Sequence, residues 1–282
     1  MKILVTGGAG FIGTNLCKRL IEDKHTVWSF DNYSTGLKQN EIDGVNYYNV
    51  DVKNGFENWI QKFDVIFHLA ALARIQPSIK NPIECLENNF NGTLNVLEYA
   101  RNNNTPVIYA GSSSKHHNLY GSPYAWSKYS GEELCKLYSE VYSVSTSICR
   151  FYNVYGPHHL TEGDYCTVVG IFENLYREGK PLTITGDGEQ RRDFTHVDDI
   201  VEGLIKIGFC KKKYNYSWEL GSGKNYSLNE VYELFNKKFN SKKIHLPDQS
   251  GNYKETIRKD NKAIDLLGWN PNKKLEEYIK NL

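Results

Sequence analysis

The chain has 282 residues, 40% of them hydrophobic, enough to bury the core of one large domain or of two coupled ones. Lys and Arg number 34 against 33 Asp and Glu, a formal charge of +1, so no global field favours nucleic acid or an anionic membrane. No apolar run approaches the roughly 20 residues of a membrane span, and the six cysteines form no CxxC pair, which fits reduced thiols in a cytoplasmic protein without a metal site.

The N-terminal "MKILVTGG" enters a strand pattern at once, so no secretory leader is expected. "KILVTG" is a short apolar run ended by glycine and reads as a buried strand. Phe11, Ile12, Leu16, Leu20 and Ile21 then recur at helical spacing. "HTVWSFD", "VNYYNVD", "FDVIFHLAA" and "TPVIYAGSS" follow as strand candidates, with helical patterns between several of them, clearest over 82–102. "VSTSICRFYNVYG" supplies a further strand. Strands separated by helices predict right-handed crossovers and a parallel sheet covered on both faces.

After Gly156 the rhythm changes. "PLTITG" and "YSWELG" read as short strands, and "HVDDIVEGLIKIGF" and "SLNEVYELFNKKF" as helices. The expected fold is α/β: a Rossmann-type doubly wound parallel sheet over 1–156, and a smaller α/β region over 157–282 whose segment near 193–210 packs back on the first. Lys211, Lys212 and Lys213 read as a solvated surface. There is no internal repeat and no low-complexity linker.

"TGGAGFIG" joins the first strand to the first helix. Gly8, Gly10 and Gly13 fit G-x-G-x-x-G, and Gly7, Gly10 and Gly13 fit G-x-x-G-x-x-G. Such a loop turns tightly and lets a pyrophosphate reach the helix N-terminus. Asp31 ends the second strand, about twenty residues on, where a carboxylate accepts from ribose hydroxyls and repels a 2′-phosphate. NAD is therefore the expected cofactor, in preference to NADP.

"YAGSSSKHHNLYGSPYAWSK" holds the candidate catalytic set. "SPYAWSKYSGEELCKLYSEVY" reads as a helix opened by Ser122 and Pro123, which puts Tyr124 and Lys128, four apart, on one face. A free tyrosine titrates near pH ~10, and nearby cations would lower that value. Ser112 follows the strand "VIYAG" at the sheet edge that lines the ligand crevice in open parallel sheets. Tyr124 is the expected base and acid, Lys128 its electrostatic partner, and Ser112 a hydrogen-bond donor to the reacting oxygen. His116 and His117 read as part of a polar loop, and His68 as a packing group at a strand end.

On these residues the chain resembles the extended short-chain dehydrogenase/reductase superfamily, and within it the NAD-dependent nucleotide-sugar epimerases and dehydratases. The resemblance covers nearly the whole chain. "VTGGAGFIG" looks like the family's cofactor loop, which implicates Gly7, Gly10, Phe11, Ile12 and Gly13. "DNYSTG" is similar to the stretch around the adenosine ribose in UDP-sugar 4-epimerases and adds Asn32, Ser34, Thr35 and Gly36 to Asp31. The resemblance places Asp51 and Val52 beside the adenine. "HLAALARIQPS" and "NNFNGTLNVLE" match the segments flanking the nicotinamide and implicate Leu69, Ala70, Ala71 and Asn89. Ala110, Phe151, Tyr124 and Lys128 complete the implied NAD contacts. "RFYNVYGP" puts Asn153 against the sugar nucleotide, and "GDGEQRRDFTHVDD" makes Arg192 the implied diphosphate ligand. Physically, a guanidinium fork suits that task. Ser113, Ser114 and Lys254 are the remaining implied substrate contacts, and "KAIDLLGWNP" resembles the family's C-terminal signature.

The segment 112–124 is shorter than usual in this family. Counting from the strand selects Ser112, while counting back from Tyr120-Gly121 selects Lys115 or His116. An arginine expected near Gln249 is missing, with Lys254 offered in its place. The resemblance implies inversion of C4 in a nucleotide-diphosphate sugar, most simply a UDP-hexose, through a transient 4-keto sugar. The family's dehydratases carry an Asp-Glu pair just after the catalytic Ser/Thr, and its decarboxylases a glutamate. Here Ser113, Ser114 and Lys115 follow instead. A dehydratase, a decarboxylase or a net reductase is the alternative, and a non-catalytic NAD-binding sensor or assembly protein is a further one. The resemblance also implies a homodimer built on the helices near 82–102 and 123–142.

Overall fold

In this computed structural model, which describes residues 1–210, 215–249, 251 and 253–282, seven parallel strands form one sheet. The strands in chain order are β1 (Lys2–Thr6), β2 (Thr26–Asp31), β3 (Asn46–Asn49), β4 (Val65–His68), β5 (Val107–Ser112), β6 (Thr146–Phe151), β7 (Asn153–Tyr155), β8 (Leu182–Thr185), β9 (Arg191–His196), β10 (Ser217–Leu220), β11 (Asn225–Ser227) and β12 (Lys243–Leu246). The large sheet runs β10-β6-β5-β4-β1-β2-β3. Its order reverses between β1 and β4, which opens a crevice at the carboxyl ends of those strands. The doubly wound expectation is met. The lysine run 211–213 lies outside the described residues.

The helices are α1 (Phe11–Glu22), α2 (Ile75–Lys80), α3 (Pro82–Leu86), α4 (Gly92–Asn103), α5 (Pro123–Tyr142), α6 (Val168–Arg177), α7 (Val197–Gly208), α8 (Leu228–Phe239), α9 (Lys262–Leu267) and α10 (Leu275–Asn281). The stretch 82–102 is helical throughout, but residues 87–91 wind as a π-helix between α3 and α4. Such π segments cluster at functional sites. Here it carries Asn89. None of the described helices is long and apolar enough to cross a membrane.

Strands β1, β4 and β5 are apolar runs because both of their faces are covered. On one face Ile3, Val5 and Leu16 pack with Val197, Ile200, Leu204 and Ile207 of α7. On the other, Leu4 and Ile66 pack with Val96, Leu97, Cys135 and Tyr138 of α4 and α5. A third cluster, with Phe172, Leu182 and Phe235, belongs to the smaller region.

The boundary expected at 156 is not a clean division. Beyond it, α7 covers the large sheet, and β10 pairs with β6 as its edge strand. Trp218 and Leu220 of β10 are fully buried there, so their burial holds the chain on the first region. Trp269, in the C-terminal signature, is buried in the same cluster and donates its indole N–H to the Asp199 carbonyl at 2.7 Å. The single strand expected over 144–156 is two. The chain leaves the large sheet at Phe151, and β7 joins β9 and β11 in a separate three-stranded sheet. That step brings Phe151 and Asn153 over the crevice.

Candidate active site

One cavity of about 730 Å³ runs from the glycine loop to β9. At its first end the chain from β1 to α1 is built to receive an anion. Gly7 takes φ +75°, and a Cβ there would stand 2.9 Å from the Ala70 backbone. A Cβ on Gly13 would stand 2.0 Å from the Gly7 carbonyl oxygen. Gly10 is the N-cap of α1 and offers no side-chain acceptor, so first-turn N–H groups remain for a ligand. Asp31 lies at the end of β2. Its carboxylate accepts from the N–H of Ala9 at 2.9 Å and of Tyr33 at 2.8 Å, and each oxygen keeps a lone pair. Burial raises its pKa, partly offset by those two bonds. These residues fit a dinucleotide with free ribose hydroxyls.

Every residue expected at the cofactor end lines this cavity except Gly36 and Asn89. Gly36 lies one layer back, against the Asp31 carboxylate. The Asn89 amide is used within the protein. Its oxygen accepts from the Leu72 N–H at 2.8 Å, and its nitrogen donates to the Leu72 carbonyl at 3.1 Å and Ser127 Oγ at 2.9 Å. Asn89 thereby fixes the loop after β4 onto α5. The π-helical turn is what aims it there.

Ser122 caps α5 by accepting from the Ala125 N–H at 3.1 Å, and Pro123 supplies the first-turn φ. This start positions Tyr124, whose hydroxyl donates to Ser112 Oγ at 3.3 Å. The strand-based count is therefore the one that finds the serine at the tyrosine. Lys128, four residues on, is buried with Nζ 4.6 Å over the Tyr109 ring. Burial pulls its pKa down to about 8, against the raising influence of Glu132 one turn further on. Burial also raises the Tyr124 pKa, opposed by the Ser112 hydrogen bond and by the charge of Arg74. In the protein alone, burial outweighs the charge of Arg74 at this hydroxyl. No motif in the sequence marks Arg74.

His68 makes the packing contacts expected of it. Its Nδ1 lies 2.7 Å from Thr6 Oγ1 and its Nε2 3.1 Å from Thr93 Oγ1. Burial and then Lys128 push its pKa down to about 3, which keeps it neutral. His116 and His117 stay outside the cavity lining. His116 Nε2 meets Glu219 Oε1 at 2.9 Å, and His117 stacks on Tyr253 at 4.2 Å. Arg150 joins Glu219 at 2.8 Å and, through Nε and Nη2, both oxygens of Glu132. This buried cluster pins the short 113–121 segment to β6, α5 and β10. Among the described residues no group of three or more His, Cys, Asp or Glu could hold a metal.

At the far end, Ser113, Ser114, Asn153 and Arg192 line the cavity as expected. Ser114 Oγ is buried with no hydrogen-bond partner among the described residues. Among the described residues the Arg192 guanidinium donates only to the Arg191 carbonyl, at 2.8 Å, and burial lowers its pKa. Lys254 does not reach the cavity. It is exposed, and its carbonyl accepts from the Arg191 N–H at 2.9 Å. Its neighbours Tyr253 and Thr256, with Gln249, form that wall instead.

Residues 3–208 match the family model of the NAD dependent epimerase/dehydratase family. A putative UDP-glucose 4-epimerase of Methanocaldococcus jannaschii is 32% identical, over 99% of this chain and 96% of its own length. A UDP-glucuronate 4-epimerase of Thermodesulfobacterium geofontis is 33% identical, over 98% and 93%. A UDP-N-acetyl-α-D-glucosaminuronate decarboxylase of Bacillus cytotoxicus is 32% identical, over 87% and 83%. Among solved structures, the UDP-glucose 4-epimerase of Thermotoga maritima with UDP-glucose superposes with a TM-score of 0.92 at 29% identity, covering 99% of this chain and 96% of that one. The UDP-glucuronic acid 4-epimerase of Bacillus cereus, in complex with UDP-glucuronic acid and NAD, gives 0.91 at 28%, covering 99% and 97%.

Proposed function

We propose that this chain, which belongs to the NAD-dependent epimerase/dehydratase family, inverts C4 of a nucleotide-diphosphate hexose carried on UDP. NAD is its cofactor, and when bound it takes up hydride from the sugar and gives it back. The glycine loop and Asp31 hold it at the first end of the cavity. The observation that carries the reading is the Tyr124–Ser112 contact at the carboxyl edge of the sheet, where Ser113, Ser114 and Lys115 follow in place of an acid. The cavity-lining carboxylates among the described residues are Asp31, Asp51 and Asp164. The first two end β2 and follow β3, and Asp164 pairs with Lys80 at 3.8 Å. Dehydration or decarboxylation would call on an acid next to Ser112, where Ser113, Ser114 and Lys115 stand.

Tyr124 takes the C4 hydroxyl proton and later returns it, and Ser112 donates to the same oxygen. Arg74 and Lys128 supply the positive charge that a buried phenolate needs. Arg192 holds the diphosphate, so the oxidised ring can turn about its tether and present its other face. A cytoplasmic location, where the free thiols of Cys17, Cys85, Cys135, Cys149 and Cys166 would stay reduced, goes with this reading. The test is incubation of the NAD-loaded protein with a panel of UDP-hexoses and UDP-hexuronates, with C4 epimers separated. A pair of C4 epimers reaching equilibrium supports the reading, and loss of water or CO2 as the main outcome overturns it.

A further inference from the structure

The cavity contains a guanidinium that neither the cofactor end nor the diphosphate end accounts for. Arg74 sits at the N-cap of α2, on the loop that Asn89 fixes in place. Its Nε donates to the Tyr165 carbonyl at 3.1 Å, and its Nη2 to the Cys166 carbonyl. An arginine has five N–H donors, so these bonds anchor one edge of the fork, while Arg74 lines the cavity and Nη1 has no acceptor among the described residues. Among the described residues no carboxylate pairs with it, whereas Lys80 has Asp164 and Arg150 has Glu132 and Glu219.

Holding a half-buried guanidinium without a counter-ion is costly. Two carbonyl dipoles offset part of that cost. The remainder is recovered when an anion arrives. Arg74 and Tyr124 line the same cavity, and the charge of Arg74 acts on the Tyr124 hydroxyl. Ser114 Oγ, buried and without a hydrogen-bond partner among the described residues, lines the same cavity and has a hydroxyl proton to donate.

We propose that the sugar bound here is acidic, a UDP-hexuronate whose C5 carboxylate pairs with Arg74 and accepts from Ser114. This rests on the C4-epimerase reading and names the substrate class of that site. It also gives Arg74 a second effect. Oxidation at C4 makes a uronate a β-keto acid. Loss of CO2 breaks the C5–C6 bond and sends its electron pair into a ring enolate. A guanidinium fixed on the carboxylate stabilises the charge where it starts, so it holds CO2 on the ring and favours the epimer over a pentose product.

The test is titration calorimetry on the NAD-loaded Tyr124→Phe variant, which binds without turning over, with UDP-glucuronate and UDP-glucose as probes. The uronate should bind about 30-fold more tightly or better, the range of charge-assisted contacts. Adding Arg74→Gln should collapse that preference to within about threefold of unity, and Arg74→Lys should keep part of it. Thermal melting confirms that each variant is folded. Equal binding of the two probes, or loss of both alike in a folded Arg74→Gln protein, would overturn the proposal and leave Arg74 as a tie for the 165–166 backbone. Because this reads binding alone, its failure leaves C4 epimerisation standing. Conversely, a clear uronate preference in a parent protein that forms no C4 epimer would count against the epimerase reading and not against this one.

Discussion

The Tyr124 hydroxyl donates to Ser112 Oγ across 3.3 Å, joining the first turn of α5 to the end of β5. The contact puts a proton donor and a proton acceptor together on the wall of the cavity.

Tyr124→Phe removes the oxygen that takes the sugar proton while keeping the ring that fills the site. Turnover should fall by about two orders of magnitude or more, with NAD content and melting temperature close to the parent's. Steady-state rates on the preferred UDP-sugar check this, and near-parent activity would remove Tyr124 from its role.

Lys128 is a buried ammonium with a pKa near 8, against an ordinary 10.5. Below about pH 8 both the folded and the unfolded chain carry the proton, and the fold bears the full cost of burying it. Between about 8 and 10.5 the folded protein releases the proton first, so that cost fades as pH rises. Lys128→Met should therefore stabilise the NAD-free protein at pH 7, by an amount on the order of 3 kcal/mol at most, while abolishing turnover. The gain should shrink at pH 10. Melting curves at the two pH values check the sign, and destabilisation at pH 7 would contradict it.

The parts of the site legible in the sequence are those where one residue type at one spacing has a single physical use. Gly13 faces a carbonyl at a distance no Cβ tolerates, and Tyr124 and Lys128 share a helix face by spacing alone. Arg74 was not legible, because its meaning comes from carbonyls at 165 and 166, about ninety positions away. Lys254 was misplaced because a nearby positive charge says nothing about which side of an irregular segment faces the cavity. In the fold, "YSWELG" reads as a strand, but its membership of the large sheet depends on where Trp218 finds burial. The resemblance places Asn89 at the cofactor, whereas on the π-helical turn its amide faces Leu72.

Asp31→Ala removes the carboxylate at the end of β2 and two backbone bonds with it. NAD affinity should fall by about tenfold or more, and discrimination against NADP should relax. Fluorescence titration with both cofactors checks this. A variant that holds NAD as tightly and as selectively as the parent would take Asp31 away from the ribose.

The helices α3 to α5 bear on assembly. Tyr138, Val96 and Leu97 face the chain's own core, but Leu137 is 50% exposed, Val141 60% and Ile83 71%. Trp126 is also exposed and stacks on Phe90 at 6.3 Å. A run of apolar side chains on one helical layer suits a two-fold partner. The chain should sediment at micromolar concentration with twice the mass of a 32.4 kDa protomer. Leu137→Glu together with Val141→Glu should convert it to monomer. A parent protein of single-chain mass would refute the pairing.

The central claim is that hydride leaves C4 and returns to C4 of the same sugar. It is tested most directly with a UDP-sugar deuterated at C4, turned over in ordinary water and read by proton NMR of the product. The account predicts a C4 epimer that keeps its deuterium, with no net formation of NADH. Loss of the label to solvent, or NADH accumulating in step with product, would contradict it.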